Sequence, residues 1–424
     1  MDEIQGLIPS LRPLDCTLLT LGGQELVRVR DGLGISPDAA VPLPLFALAQ
    51  LFNGSRSVLD VQAEITRQTG EIFPSEDLLR IIRELDEAYF LDSERFRNRL
   101  REVLQEWNGL EVRPATHAGP GRCYPDEPAN LAETMEEMYR RPGAADPSAL
   151  ASSRGLRAVL APHIDFRRGG HTYTWAYHEI RRRGRADVYV ILGTCHQQMQ
   201  HPFAITSKSY GTPWGPVRTD RAFLDRLERL HGQDLRRDEF NHKNEHSIEF
   251  QVIFLRHALG SADFAIVPIL CGGFHESVQA GTQPDLDHRV GGFLDSLTAT
   301  IAAERADGRE IMLIGGVDLA HVGRHFGDRD RLTPEFLAEV RSRDHELLKA
   351  AAAVDPRALF QEIACDQDQR RICGFGPIYT ILGLLERDGA RSGRVAGQLL
   401  SYDQAVDLEN DLCVSFASMA IEDR

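Results

Sequence analysis

The stretch VYVILGTCHQQ, residues 188–198, decides the fold. A short apolar run, Val188 to Leu192, is followed after three residues by His196. The same arrangement recurs twice. Ala158 to Ala161 precedes His163 in LAPHIDF, and Ile311 to Ile314 precedes His321 in GGVDLAHVG. Apolar runs this short, separated by long helical patterns, read as buried parallel strands. In open parallel sheets, sites form just beyond the carboxyl ends of the strands. A fourth residue, Cys373 in ICGFGP, stands at the start of a helix-like run. Three imidazoles delivered to one sheet edge, with a thiol, make a metal pocket the leading expectation.

Outward from these runs, strand and helix patterns alternate from Gly155 onward. Strands are expected at Arg157 to Ala161, Val188 to Leu192, Phe264 to Leu270, Glu310 to Ile314, Val395 to Ser401 and Cys413 to Ala420. Helices fit at about His171 to Arg182, Asp220 to Leu230, His246 to Leu259, Arg289 to Ala303, Pro334 to Ala351 and Pro377 to Glu386. That alternation predicts an α/β sheet covered by helices on both faces, over residues 155–424. Residues 109–154 are rich in Pro, Gly and Ala, with one short helical pattern near Leu131 to Tyr139, and read as a linker.

Residues 1–108 have a different character. Thr17 to Val29 reads as a β-hairpin around Gly22-Gly23. Helical patterns follow at Leu43 to Phe52, at Val58 to Thr69 behind a Ser57 cap, at Glu76 to Tyr89 behind Ser75, and at Ser93 to Trp107. A small hairpin packed on helices is a winged-helix-like module.

Composition bounds the function. The net charge of −15 over 424 residues argues against a general nucleic-acid binder, which needs a basic surface. No apolar stretch approaches the ~20 residues of a membrane helix, so no membrane partner is expected and the location is expected to be cytoplasmic. The 7 cysteines are scattered and odd in number, which is no disulfide framework.

Imidazole suits Zn, Cu, Fe and Ni, and a thiolate adds soft character. Three histidines and Cys373 could close a tetrahedral site, or the histidines could bind and leave the thiol free. Asp318 lies three residues before His321. If that loop begins a helical turn, the two share a side, and Asp318 is a ligand or an acceptor that fixes an imidazole tautomer. A thiol near a helix N-terminus is expected to have a lowered pKa. In Glu245-His246-Ser247-Ile248-Glu249, His246 and Glu249 are one turn apart, which suits a base and its orienter. The plainer reading has both glutamates favouring the helix N-terminus, and spacing alone favours that reading. Of the chain's 15 histidines, His171, His178, His201, His242, His257 and His325 read as surface or structural residues. Arg167-Arg168 and Arg181-Arg182-Arg183 read as solvated faces that could also offer charge to an anion.

At these residues the sequence resembles the Memo family, and more closely the bacterial AmmeMemoRadiSam system protein B. LAPHIDFRRGGHTY, VYVILGTCHQQ, NEHSIEFQ, IVPILCG, GGVDLAHVG and ICGFGPI occur in that order over roughly residues 155–420. The resemblance implies a fold shared with class III extradiol ring-cleaving dioxygenases. It also implies a redox-metal pocket lined by His163, His196, His321 and Cys373, with copper or iron as the metal; the ligand types alone leave zinc as a further option. Asp318 and His246 match further pocket positions, so His246, Asp318 and Cys373 become the expected catalytic residues. The chain departs from the family at His196-Gln197, where two adjacent histidines are common, and at Cys373-Gly374-Phe375-Gly376, where Cys-Gly-Arg with a following His is common. LFNGSRSVLDVQAEI and LLRIIRELDEAYFLDS resemble PqqD-like winged-helix modules that bind peptides. The family name implies a radical SAM protein and an AMMECR-type protein as partners. The expected function is therefore a metal-dependent oxidoreductase in a radical SAM-associated modification system. Its rivals are a peptide-binding protein and a copper-carrying chaperone built on the same pocket.

Overall fold

The computed structural model describes residues 6–21, 24–146, 155–392 and 395–424. Gly22-Gly23 and residues 147–154 of the expected linker lie outside them. The chain divides into two compact units, Met1–Gly109 and Leu110–Arg424.

In the first unit, β1 (Asp15–Leu21) and β2 (Gln24–Arg30) pair antiparallel, with Leu21 opposite Gln24. A third strand not foreseen from sequence, β3 (Ala39–Pro42), adds to the other side of β2. Four helices follow: α1 (Leu43–Ala49), α2 (Val58–Thr69), α3 (Ser75–Glu87) and α4 (Glu94–Asn108). Ser57 caps α2 through a reciprocal box with Asp60, and Gly70 ends it in the left-handed conformation that glycine adopts without strain. Ser75 was expected to cap α3 but is its first helical residue, behind Pro74. Phe52, Val58, Val61, Leu78 and Leu91 bury their side chains together as the unit's core. An ion pair between Arg12 and Asp31, 2.9 Å apart and almost fully buried, fixes the turn after β2, and Arg12 also donates to the Tyr89 carbonyl.

The second unit is built on an eight-stranded sheet. Its centre is four parallel strands in the order β5 (Leu156–Ala161), β10 (Ile311–Gly316), β6 (Val188–Thr194) and β9 (Ala265–Cys271). β7 (Phe203–Ile205) pairs antiparallel with β9 at one side. At the other side β13 (Leu412–Asp423) pairs antiparallel with β5, with β11 (Asp318–Val322) and along its whole length with β12 (Val395–Asp407). Helices cover both faces. One face packs on α5 (Pro128–Arg140), α6 (Phe166–Arg183) and α8 (His246–Leu259). The other packs on α7 (Arg221–His231), α10 (His288–Ala306), α11 (Pro334–Ala352), α12 (Pro356–Ala364) and α13 (Phe375–Ser392), while a short α9 (His275–Ala280) lies between β9 and α10. Two-sided burial explains why β6 and β9 read as unbroken apolar runs rather than alternating ones. No helix among the described residues is long and apolar enough to cross a membrane.

The linker reading needs correction. Residues 110–146 belong to the second unit: β4 (Val112–Arg113) pairs with β8 (Ser209–Tyr210), and α5 buries Leu131, Met135 and Met138 in the core. Arg113 is fully buried as well. Irregular backbone with abundant Pro and Gly resembles a linker in composition but is held here by long-range contacts. A chain beginning at Leu110 is therefore expected to fold, while one beginning at Gly155 leaves the α5 side of the core open and is expected to be insoluble or molten. Near-ultraviolet circular dichroism of the two truncations checks this, and native-like spectra from both would contradict it.

Candidate metal centre

The order of the parallel strands makes the site. Because β10 lies between β5 and β6, the ends that lead to His163, His196 and His321 are contiguous. His163 and His196 each lie two residues past their strands. His321 is carried on β11, a strand and not the helical turn considered from sequence. Between Asp318 and His321 the pairing with β13 shifts register, a bulge that advances three residues on β11 against two on its partner. The extra residue brings Asp318 and His321 to the same side, which plain strand alternation would not.

Each imidazole is anchored through Nδ1. His163 Nδ1 lies 2.9 Å from the Gly316 carbonyl, His321 Nδ1 lies 3.1 Å from the Leu319 carbonyl, and His196 Nδ1 lies 3.1 Å from both Glu245 carboxylate oxygens. A carbonyl only accepts, so in His163 and His321 Nδ1 carries the proton and Nε2 keeps its lone pair. This arrangement fixes the tautomer of metal-binding histidines. The ligand atoms of His163, His196 and Cys373 lie within 4.8 Å of one another, and Cys373 Sγ is 3.2 Å from His163 Nε2. A second group of the same tightness is His196, Glu245 and His246. His321 is in neither group. Its ring lies edge-on to Phe326 at 5.2 Å, although its interactions with Asp318, His163 and His196 keep it beside the centre. Of the three histidines expected to converge, the structure brings His163 and His196 together with Cys373 and leaves His321 outside that close set.

The supports are specific. Asp318, 2 % exposed, accepts from the His163 backbone N–H at 2.9 Å and approaches His163 Nε2 at 3.6 Å. Ser247 Oγ donates to the Thr194 carbonyl and Gln251 Nε2 to the Pro162 carbonyl, both at 2.7 Å, which pins the turns after β6 and β5. Gly374 donates to the Asp318 carbonyl, and a Cβ there would come within 2.4 Å of that oxygen, so only glycine lets Cys373 approach β11 this closely.

Burial sets the electrostatics. It pushes Asp318 up to about 6, and it lowers His163 to about 3 and His321 to about 4, so both rings stay neutral and free to donate a lone pair. Burial also raises the Cys373 thiol, which overturns the lowering expected from the helix start. For His196 burial opposes charge, but the Glu245 carboxylate outweighs it and raises the ring, and Glu245 itself is held well below the usual range by His196. His246 is lowered by burial and by the neighbouring rings of His196, His163 and His117.

The partner expected for His246 is also corrected. Glu245 caps α8 through the backbone N–H groups of His246 and Ser247, and its carboxylate lies 3.2 Å from His246 Nδ1. Glu249 turns away to residues that sequence reading passed over. Arg113 meets it at 2.6 Å, Tyr124 donates its hydroxyl at 2.5 Å, and His117 offers both its backbone N–H at 3.0 Å and Nδ1 at 2.9 Å. Glu249 is therefore held far below the usual range although it is buried, with Arg113 the main cause. Its effect on the centre is to orient His117, whose ring centroid lies 5.6 Å from that of His246. The rings of His246 and His196 stack at 4.9 Å. Beside His196, which is 39 % exposed, a cavity of about 430 Å³ opens, lined by Cys195, Gln197, Met199, Phe274 and His275 among others.

Comparison with known proteins identifies the family. The family model described as "Memo-like protein" matches residues 113–420. A MEMO1 family protein of Aquifex aeolicus is 31% identical over 393 residues, covering 92% of this chain and 94% of its own. MEMO1 family proteins of Pyrococcus abyssi and Pyrococcus furiosus are both 28% identical and cover 71% of this chain but 97% and 96% of their own. Nearly whole relatives of that length need only a span comparable to the second unit, and the family match starts at Arg113, within the expected linker. The chain belongs to the Memo family.

Proposed function

We propose that the second unit binds one redox metal ion, copper or iron with zinc as the redox-inert option, and performs oxidoreductase chemistry. The observation that carries this reading is the close set of His163, His196 and Cys373, with the imidazoles anchored through Nδ1. Two nitrogens and a sulfur suit a soft or borderline ion, and Asp318 approaches the set at 3.6 Å from His163 Nε2, with His321 outside it. When bound, copper or iron would supply one-electron chemistry.

The chain's own residues supply the rest. His246, kept neutral by its surroundings and oriented by Glu245, accepts or returns a proton. His117, oriented by Glu249, stands behind it as the next acceptor. The cavity beside His196 admits the substrate. In this reading the first unit is a PqqD-like module that presents a peptide, and the protein works with a radical SAM protein and an AMMECR-type protein.

The test is anaerobic purification with elemental analysis, then oxygen consumption by the metal-loaded protein with ascorbate as reductant. His246→Ala is expected to keep its metal and lose at least about 100-fold in rate, the lower range for a general acid–base group. Equal consumption by wild type and variant, or none by either, replaces the enzyme with a binding protein or copper carrier on the same pocket.

A further inference from the structure

A second cavity, of about 420 Å³, lies between the 119–126 loop, α5 and the start of α6. It shares no lining residue with the set His163, His196, His246, Asp318, His321 and Cys373. Phe250 stands between the two regions, 4.8 Å from Phe166 on the cavity side and 5.2 Å from His246 on the other, ring to ring. Three arginines line the cavity: Arg122, Arg141 and Arg167. One of these, Arg167, belongs to a basic pair visible in the sequence that the metal centre does not use.

What distinguishes the three is how they are held. Arg122 donates through Nη1 to the Thr116 carbonyl. Arg167 donates to the Arg122 carbonyl at 3.3 Å, and Arg141 donates to the carbonyls of Phe166 and Arg167, both at 3.0 Å. Every one of these acceptors is a neutral main-chain oxygen. Among the described residues, none of the three guanidinium groups lies within 4.0 Å of a carboxylate, whereas the adjacent Arg168 pairs with Asp165. In a chain with 63 acidic against 48 basic residues, carboxylates are plentiful, so a fixed trio without one marks a local positive field. The cavity lining itself offers a single carboxylate, Asp126, against the three cations. Guanidinium forks match the paired oxygens of a phosphate, and several of them favour a dianion over a monoanion. The volume exceeds that of a bare phosphate, and Met138, Phe166 and Pro125 give an apolar wall for an organic body.

We propose that this cavity binds a small phosphate monoester through Arg122, Arg141 and Arg167. The site is independent of the metal reading. Its test is calorimetric titration of the full chain with glycerol 3-phosphate and with inorganic phosphate at fixed ionic strength, with citrate as the carboxylate comparison. Saturable binding is expected, tighter for the ester than for inorganic phosphate. It should weaken at least tenfold in Arg122→Gln and disappear in Arg122→Gln/Arg167→Gln. It should be unchanged in Arg182→Gln/Arg185→Gln, which removes the same charge elsewhere, and unchanged in His163→Ala. Circular dichroism melting of each variant shows whether it is folded, and Arg122→Gln removes only one carbonyl contact. Absence of saturable binding overturns the proposal, as does an equal loss in the control pair. Loss in His163→Ala moves the site to the metal centre, and citrate binding more tightly than either phosphate overturns the phosphate assignment.

Discussion

Replacing Arg113 with methionine is expected to destabilise the second unit by about 3–5 kcal/mol, the usual cost of removing one partner of a buried ion pair. Arg113 is fully buried and its guanidinium donates to the carbonyls of His242 at 2.6 Å, Glu245 at 2.7 Å and Pro114 at 2.9 Å besides meeting Glu249. The variant leaves Glu249 charged among apolar neighbours with only Tyr124, Thr116 and His117 to solvate it. Arg113→Met/Glu249→Leu removes the stranded charge as well, so part of the loss should return. Urea unfolding followed through tryptophan fluorescence measures both. A single-variant loss below about 1 kcal/mol, or a double variant no better than the single, would sink this account of the network. The pH dependence carries the same sign. A depressed carboxylate pKa adds stability that is present above the ordinary glutamate value and lost as pH falls below it toward the folded one. Wild type should therefore weaken below about pH 4.3, and Arg113→Met should show a shallower acid limb.

That network also marks the boundary of what could be read from sequence. Sheet strands and their covering helices were legible because burial on both faces leaves apolar runs, and β6 and β9 are buried at every residue. Helix α8 was placed to the residue, since Glu245 caps it and Gly260 ends it. His163 and His196 were legible for the same reason, as histidines that follow such runs within four residues. Strand order was not. Nothing in a run of apolar residues says that β10 inserts between β5 and β6, although that insertion is what makes the histidine-bearing ends neighbours.

Arg113 and His117 escaped notice because the contacts that give them their role, to His242, Glu245 and Glu249, lie more than a hundred residues away. The segment around them has neither helical nor strand period, and THAGPGRCY reads as loop. Glu249 was legible as a helix-start acid but not as the partner of a buried arginine, and the local pattern made it the orienter of His246 in place of Glu245. Cys373 shows the converse. A thiol beside a helix start suggests a lowered pKa, but local sequence does not reveal that Gly374 packs it against the Asp318 backbone, where burial dominates.

The largest effect on the centre is expected from His163→Ala, which should weaken binding of copper or iron by more than the roughly 10–100-fold typical of residues that only orient a ligand. His163 is 1 % exposed, its Nδ1 is committed to the Gly316 carbonyl, and its Nε2 faces Cys373 Sγ at 3.2 Å. The ring has no alternative place to turn, so its removal takes a donor out of the close set and leaves His196 and Cys373 alone. His321→Ala should fall within the 10–100-fold range, because His321 lies outside that set and acts from beside it. Competition titrations with a chromogenic chelator under anaerobic conditions rank the two variants, and His246→Ala serves as the reference that keeps its metal. Metal affinity of His163→Ala within tenfold of wild type would mean that the ion is held elsewhere, for instance by His196, Glu245 and His246. A greater loss in His321→Ala than in His163→Ala would instead show that the bulge in β11 moves to bring His321 into the coordination sphere.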